Sequence, residues 1–468
     1  MSILPPDPYF QMMFSAAEFK RRRQELCAAI GDGVALLQGF PETGAFSLFR
    51  QHNDFFYLSG VESPHAYLAI DGSTGRTTLY LLPRDEKTAA ADGPELNSDD
   101  AATALRLTEV DEVRPTAALL GDLPRGRTFY MSLAAAEGRQ ACQDTLRHAA
   151  ARANLDPARS SPPVEAALAE QVRNLCGSEV RDLTLILASM RLVKSEAELT
   201  VMRRAGALTA AAIEQAMRAT APNIYEYQLA AVADFVFLAG GAVGGGYRPI
   251  VAGGANIWNM HYYRNNCRLA AGDLVLMDYA PDVANYTSDI GRMWPVDGKY
   301  GRVQRDLYGF IVDYHLTLFD IIRPGELASD LCRRAAEKMR PVATRTRWAK
   351  PIYADAVERL LATGQPFTHP VGMAVHDVGV YREAPLAPGI VFALDPQLWV
   401  PEERLYIRVE DTVAIRSHGA ENLTAGVSHD LNQVERLVGS NGLLRALPED
   451  LAFPGAAHRE RASTKLDC

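Results

Sequence analysis

Four carboxylates and one imidazole recur in the second half of the chain at spacings that suit two bound cations. Asp278 and Asp289 flank the stretch GDLVLMDYAPDVANYTSDIGRMWPV, where the apolar run from Leu274 to Met277 predicts a buried strand and Pro281 to Asn285 a turn. A loop of Asp282 to Asn285 pairs residue 281 with 286 and sets Asp278 opposite Asp289. Asp395 and Glu410 stand likewise in GIVFALDPQLWVPEERLYIRVEDTVAI, where a turn at Pro401 to Arg404 pairs 400 with 405 and 395 with 410. Directly opposed residues on antiparallel strands have Cβ atoms about 4.5 to 5.5 Å apart, and like charges there destabilise the sheet. A cation between them removes that penalty. Oxygen-rich sites suit hard or intermediate divalent ions such as Mg, Mn or Co, and one added imidazole favours the transition metals among them. A single strand Asp is ordinarily a solvated or capping residue; two register-matched acidic pairs reverse that expectation.

The imidazole comes from THPVGMAVHDVG, between the two predicted hairpins, with His369 and His376 seven residues apart. On a regular strand that spacing points them to opposite faces, and the intervening glycine can redirect one, so one ligand and one supporting group is the natural division. His261, in NMHYYRNN, is a third candidate. Arg408 lies two residues before Glu410 and shares its face on a strand, where a guanidinium positions a carboxylate ligand or binds a substrate carbonyl or carboxylate.

The elements that must hold these residues are legible from periodicity. A helix is predicted at Ala16 to Ile30, followed by short β runs in GVALLQG, DFFYLSG, AYLAID and TTLYLLP, a mixed α/β domain with a central sheet. Helical character returns at Val164 to Cys176, and DLTLILASMRLVKSEAELTVMRRAG reads as an apolar strand running into a helix that Ser195 and Glu198 start as a capping box. That helix carries Leu199, Met202, Ala205, Leu208 and Ala212 on one face. The domain boundary is placed near residue 190, giving domains of 1–189 and 190–438 and a tail of 439–468. Further helices are expected at Tyr225 to Leu238, Val303 to Ile322 and Leu327 to Met339, with a strand in RPIVAGG.

With 468 residues the chain exceeds one ordinary core, and 48% hydrophobic content fills two. A net charge of -9 and a pI near 5.7 argue against nucleic acid or an anionic membrane as partner, so the Lys20 to Arg23 cluster reads as a solvated helix face. The N-terminal MSILPPDPYFQMMF has no basic n-region or continuous apolar core, which points to a cytoplasmic protein. The six cysteines form no CxxC, and HExxH, GxxxxGK and strand-borne GxGxxG patterns are missing, which removes zincin, P-loop and dinucleotide readings.

Several co-linear segments resemble one family. FRQHNDFFYLSGVE at 49–62 is similar to the N-terminal domain of aminopeptidase P. VKSEAELTVMRRAG, GDLVLMDYA, YTSDIGRMWPV, HPVGMAVHDVG and YIRVEDTVAI resemble successive landmarks of the pita-bread metallopeptidases, Xaa-Pro aminopeptidase and its relative prolidase. The resemblance implies an α/β N-terminal domain and an α+β pita-bread catalytic domain with a curved, mostly antiparallel sheet. It also implies two divalent ions, Mn with Co, Zn or Mg as alternatives. Asp278 would hold one ion, His369 and Asp395 the other, and Asp289 and Glu410 would bridge them. His261 and His376 would hydrogen-bond the substrate, Arg408 would orient substrate and carboxylates, and a shared water would attack the scissile carbonyl. Glu410 or Asp395 would manage its proton. The implied substrates are peptides with proline second, and the implied assembly is a homodimer or homotetramer. The chain departs from the family in one place: Asp395-Pro396-Gln397 replaces Glu-Pro-Gly, and Trp399 stands where tyrosine is common. Aspartate loses about 1.5 Å of reach, whereas catalytic groups tolerate errors of about 0.5 Å. Prolidase remains the nearest alternative; a metal-free creatinase-like hydrolase fits poorly, and a non-catalytic peptide-binding module is favoured only by Asp395.

Overall fold

The computed structural model describes residues 11, 13–42, 48–93, 95–157 and 164–446, so most of the expected C-terminal tail lies outside the described residues. Two compact units are present: Met1–Ala197 with His376–Gly379, and Glu198–Val375 with Val380–Cys468.

The first unit is built on strands β1 (Val34–Gln38), β2 (Tyr67–Asp71), β3 (Thr77–Leu81), β4 (Glu112–Pro115), β5 (Phe129–Met131) and β6 (Val180–Asp182). They form a mixed sheet in the order β4-β3-β2-β1-β5-β6. Helices Ala16–Ile30 and Val164–Cys176 occupy the residues predicted for them.

Three local expectations fail here. DFFYLSG is a helix, Asn53–Ser59, because its aromatic run is buried on all sides and Gly60, at φ 69°, closes the last turn by donating to Phe56 O. An all-round apolar segment of this length has no period that separates strand from helix. The apolar stretch ahead of Val193 is likewise the helix Thr184–Leu192. Nor are Arg22 and Arg23 solvated: they are buried, and their guanidinium groups donate to the carbonyls of Tyr57, Leu58, Thr108 and Glu109. These arginines satisfy helix-end carbonyls that have no partner within their own helices.

The second unit holds strands β7 (Ile250–Gly253), β8 (Leu274–Asp278), β9 (Ile290–Pro295), β10 (Phe367–Pro370), β11 (Val391–Leu394), β12 (Gln397–Val400), β13 (Leu405–Arg408), β14 (Glu410–Arg416) and β15 (Gly419–Asn422). Strands β10-β11-β14-β9-β8-β7 form an antiparallel sheet with β15 added to β14, while β12 and β13 form a separate ribbon. This is the curved antiparallel sheet of the pita-bread architecture. Strands β8 and β9 are buried at every position, which explains the apolar run Leu274 to Met277 of β8. Helix Glu196–Ala219 braces β9: Thr209 Oγ1 lies 2.7 Å from Ser288 Oγ, and Trp294 Nε1 donates to Thr220 Oγ1 at 2.8 Å. Helices Glu226–Ala239, Arg302–Ile321 and Ala328–Arg345 fall where periodicity places them, and Pro351–Thr363 is an additional one. Among the described residues no helix is long and apolar enough to cross a membrane.

Candidate metal centre

The two hairpins position their acids differently. In the second, β12 and β13 pair Val400 with Leu405 and Gln397 with Arg408, and β11 and β14 pair Leu394 with Asp411 in the same register. Asp395 therefore faces Glu410 as expected, between the two ladders. In the first, Asp278 pairs with Gly291 and Val283 with Tyr286, two residues away from the expected register. The reason is the turn. Ala284 and Asn285 both adopt positive φ, 48° and 67°, making a two-residue loop of the kind that matches strand twist. Asp282 joins the extended segment instead, its N–H donating to Gly244 O at 2.8 Å. Because the side-chain period of a strand is two, a two-residue shift keeps both acids on one face. Asp278 and Asp289 are thus diagonal neighbours, and the position opposite Asp278 is a glycine.

That glycine makes room for the site. A Cβ on Gly291 would stand 3.1 Å from Glu410 Oε2 and 3.2 Å from Arg408 Nε. Into this space Arg408 sends its buried guanidinium, which donates from Nη1 to Asp278 Oδ2 at 3.0 Å, from Nε to Asp395 Oδ1 at 3.1 Å and from Nη2 to Asp395 Oδ2 at 2.8 Å. Its Nη2 also donates to Glu410 Oε2. Tyr247, buried behind the glycine-rich loop, donates its hydroxyl to Asp278 Oδ1 at 2.7 Å and lies 3.1 Å from Asp289 Oδ1. Thr412 on β14 grips the backbone of Asp289, accepting its N–H at 2.6 Å and donating to its carbonyl at 2.8 Å.

His369 sits on β10 with Nε2 3.5 Å from Asp289 Oδ2. Its Nδ1 is 3.1 Å from Pro370 O, and a carbonyl only accepts, so Nδ1 is the donor and Nε2 is the nitrogen that faces Asp289. Asp289, His369 and Glu410 each offer a ligand atom, and these atoms lie within 4.8 Å of one another. Asp278 and Asp395 join the same network through Tyr247 and Arg408.

Burial drives the carboxyl groups of Asp289 and Glu410 well above the usual carboxylate range; neighbouring Asp278 and Asp395 push the same way, and Arg408 opposes them. Burial and the two nearby aspartates likewise keep the Tyr247 hydroxyl protonated. Glu410 Oε1 is buried and has no hydrogen-bond partner among the described residues. Crowded buried acids, a carboxylate oxygen with no hydrogen-bond partner among the described residues and a neighbouring imidazole are the donor set a divalent transition metal requires.

The other two predicted histidines make contacts of their own. His261 is exposed in the loop after β7, its ring stacked on Tyr263 with centroids 5.9 Å apart. The strand through His369 is short, with an irregularity between Phe367 and Pro370, and His376 belongs to the first unit, where its Nδ1 lies 2.5 Å from Asp144 Oδ2. A regular strand from His369 to His376 is therefore not present. Sequence reasoning missed Tyr247, Gly291 and Thr412, and named Gln397 as a departure from the family pattern but not as the amide that donates to Asp395 Oδ2. Only Tyr247 carried a signal: an aromatic residue closing the glycine cluster that precedes RPIVAGG.

Fold and site together define a metal-dependent hydrolase on a curved antiparallel sheet. Residues 200–417 match metallopeptidase family M24 and residues 19–128 the aminopeptidase P N-terminal domain. Xaa-Pro aminopeptidase from Escherichia coli is 30% identical over 450 residues, covering 91% of this chain and 98% of its own length. A substrate complex of an E. coli aminopeptidase P variant superposes with a TM-score of 0.72 at 29% identity, covering 91% of this chain and 98% of that one. A zinc-substituted product complex of the same enzyme gives a TM-score of 0.72 at 28% identity, with coverage of 91% and 98%. The chain belongs to metallopeptidase family M24, within its aminopeptidase P branch, and is a hydrolase of the Xaa-Pro aminopeptidase type.

Proposed function

We propose that the chain removes the N-terminal residue from peptides with proline at the second position, using two divalent ions held by Asp278, Asp289, His369, Asp395 and Glu410. The single observation that carries this reading is the buried convergence of Asp278, Asp395 and Glu410 on Arg408 and of Asp278 and Asp289 on Tyr247, with Glu410 Oε1 lacking a hydrogen-bond partner among the described residues. Bound ions would act as Lewis acids toward the scissile carbonyl and lower the pKa of a water to about 7.

The chain's own groups supply the rest. Asp289 and Glu410 would serve both ions, Asp278 would hold one and His369 with Asp395 the other. Glu410 or Asp395 takes the proton of the attacking water. His261 and His376 hydrogen-bond the substrate and its developing oxyanion, a contribution of about 2.7 to 4 kcal/mol per donor. Arg408 keeps three of the acids in place and compensates their charge. Manganese is the resident ion in this reading, with Co, Zn or Mg as substitutes; the assembly is a homodimer or homotetramer and the compartment the cytoplasm. Rates on an Xaa-Pro-Yaa tripeptide and an Xaa-Pro dipeptide test the specificity: the tripeptide is the better substrate, and a strong preference for the dipeptide would make the chain a prolidase.

Two predictions follow the donor set outward. Tyr247→Phe removes a donor shared by Asp278 and Asp289, and metal affinity measured by calorimetry falls by roughly 10- to 100-fold, the usual effect of losing such a support; unchanged affinity would contradict the role. Asp395→Glu restores the longer reach, so metal affinity is kept or raised. A clear loss of both metal and activity would show that Gln397 and the surrounding backbone are matched to the shorter aspartate.

A further inference from the structure

The residue after Glu410 points away from the carboxylates and into a second cluster. Asp411 is fully buried. Its Oδ1 accepts from Arg292 Nη2 at 2.6 Å and from Thr424 Oγ1 at 2.6 Å. Its Oδ2 lies 2.9 Å from His315 Nε2, on helix Arg302–Ile321, and 2.9 Å from His429 Nε2, just ahead of helix Leu431–Leu437. The two imidazoles stack with centroids 5.3 Å apart. One ligand atom from each of His315, Asp411 and His429 lies within 4.8 Å of the others.

Hydrogen bonds alone satisfy this arrangement poorly. His315 is 1% exposed, yet neither ring nitrogen makes a hydrogen bond among the described residues; Nε2 is close to Oδ2 but out of line with it. His429 Nε2 stands between Asp411 Oδ2, which only accepts, and Arg292 Nη2 at 3.1 Å, which only donates. Protonated, it directs a hydrogen toward an oxygen but crowds the guanidinium; unprotonated, it suits the guanidinium but sets a lone pair against the carboxylate. A cation bound by both Nε2 atoms and Oδ2 relieves the carboxylate conflict and gives the poorly aligned His315 Nε2 a ligand bond. Arg292 and Thr424 meanwhile hold Oδ1, as outer donors commonly hold the free oxygen of a metal-bound carboxylate.

We propose that His315, Asp411 and His429 form a separate single-ion site for a divalent transition metal of the zinc type, since two imidazoles and one carboxylate suit zinc and its neighbours better than magnesium or calcium. The ion ties helix Arg302–Ile321 and the segment ending at His429 to β14, and its role is structural. His429, whose side chain is 17% exposed, marks the way in. Arg292 places a like charge beside the ion, so binding is weaker than at a site built of thiolates. The site is independent of the peptidase reading.

The test uses the full chain stripped of metal and titrated with zinc alone, following stoichiometry and melting temperature. Asp289→Ala serves as background to weaken the carboxylate centre. In that background, His315→Gln or His429→Gln removes one bound zinc or weakens it by at least about tenfold and abolishes the associated rise in melting temperature. In the otherwise unaltered chain, His429→Gln leaves peptide hydrolysis in manganese unchanged. Should His315→Gln fail to fold, the half-buried His429→Gln decides. Equal zinc stoichiometry and affinity with and without His429→Gln would overturn the proposal and leave the cluster a hydrogen-bonded brace.

Discussion

Replacing Asp289 with alanine is expected to lower hydrolysis of an Xaa-Pro-Yaa tripeptide by at least about 10³-fold while leaving the fold intact. Asp289 is the acid that meets both halves of the site: it lies 3.1 Å from the Tyr247 hydroxyl and 3.5 Å from His369 Nε2. Losing a ligand shared by two ions removes several kcal/mol of transition-state stabilisation, and each 1.36 kcal/mol is about tenfold in rate. The fold survives because the backbone of Asp289 is held by Thr412 rather than by its own carboxylate. Circular dichroism and melting temperature check the second part; undiminished turnover in a folded variant would contradict the assignment of this residue.

The second large effect is on stability. Burial and neighbouring acids hold the Asp289 and Glu410 carboxyls well above their ordinary range, so in the folded, metal-free chain they keep protons that the unfolded chain releases near pH 4. A raised folded-state pKa contributes stability below the unfolded value, and that stability is lost as pH rises through the folded value. Metal-free protein is therefore expected to lose stability from about pH 5 upward, by as much as about 1.4 kcal/mol per pH unit for each such group. Saturating manganese replaces the protons and reverses the trend, because ligands must be deprotonated and affinity climbs with pH. Asp289→Asn should reduce the metal-free slope. A metal-free melting temperature that holds steady or climbs from about pH 5 to about pH 8 would contradict this electrostatic account.

How much of this was readable in the sequence depends on which interaction decided each element. Asp278 ends and Asp395 follows a strand whose apolar run is unambiguous, and at Asp395 and Glu410 both register and turn were legible because Pro401 starts the turn and Arg404 closes it at φ 50°. The first hairpin was misread by two residues because Ala284 gives no local hint of the left-handed conformation it adopts. The ligands stayed on one face only because the error was even. Asn53–Ser59 reads as a strand in the sequence and folds as a helix, since tertiary burial, and not periodicity, decides a seven-residue segment built on Phe55, Phe56 and Tyr57. Gly291 and Thr412 could not be singled out because their importance is steric and backbone-directed. Each matters through what lies across the sheet.

The most direct measurement of the central claim is anomalous scattering from a manganese-soaked crystal. The account predicts two peaks enclosed by Asp278, Asp289, His369, Asp395 and Glu410, with Glu410 Oε1 turned toward metal. Peaks absent from that pocket under saturating manganese, or side chains of these five residues directed into separate environments, would contradict it.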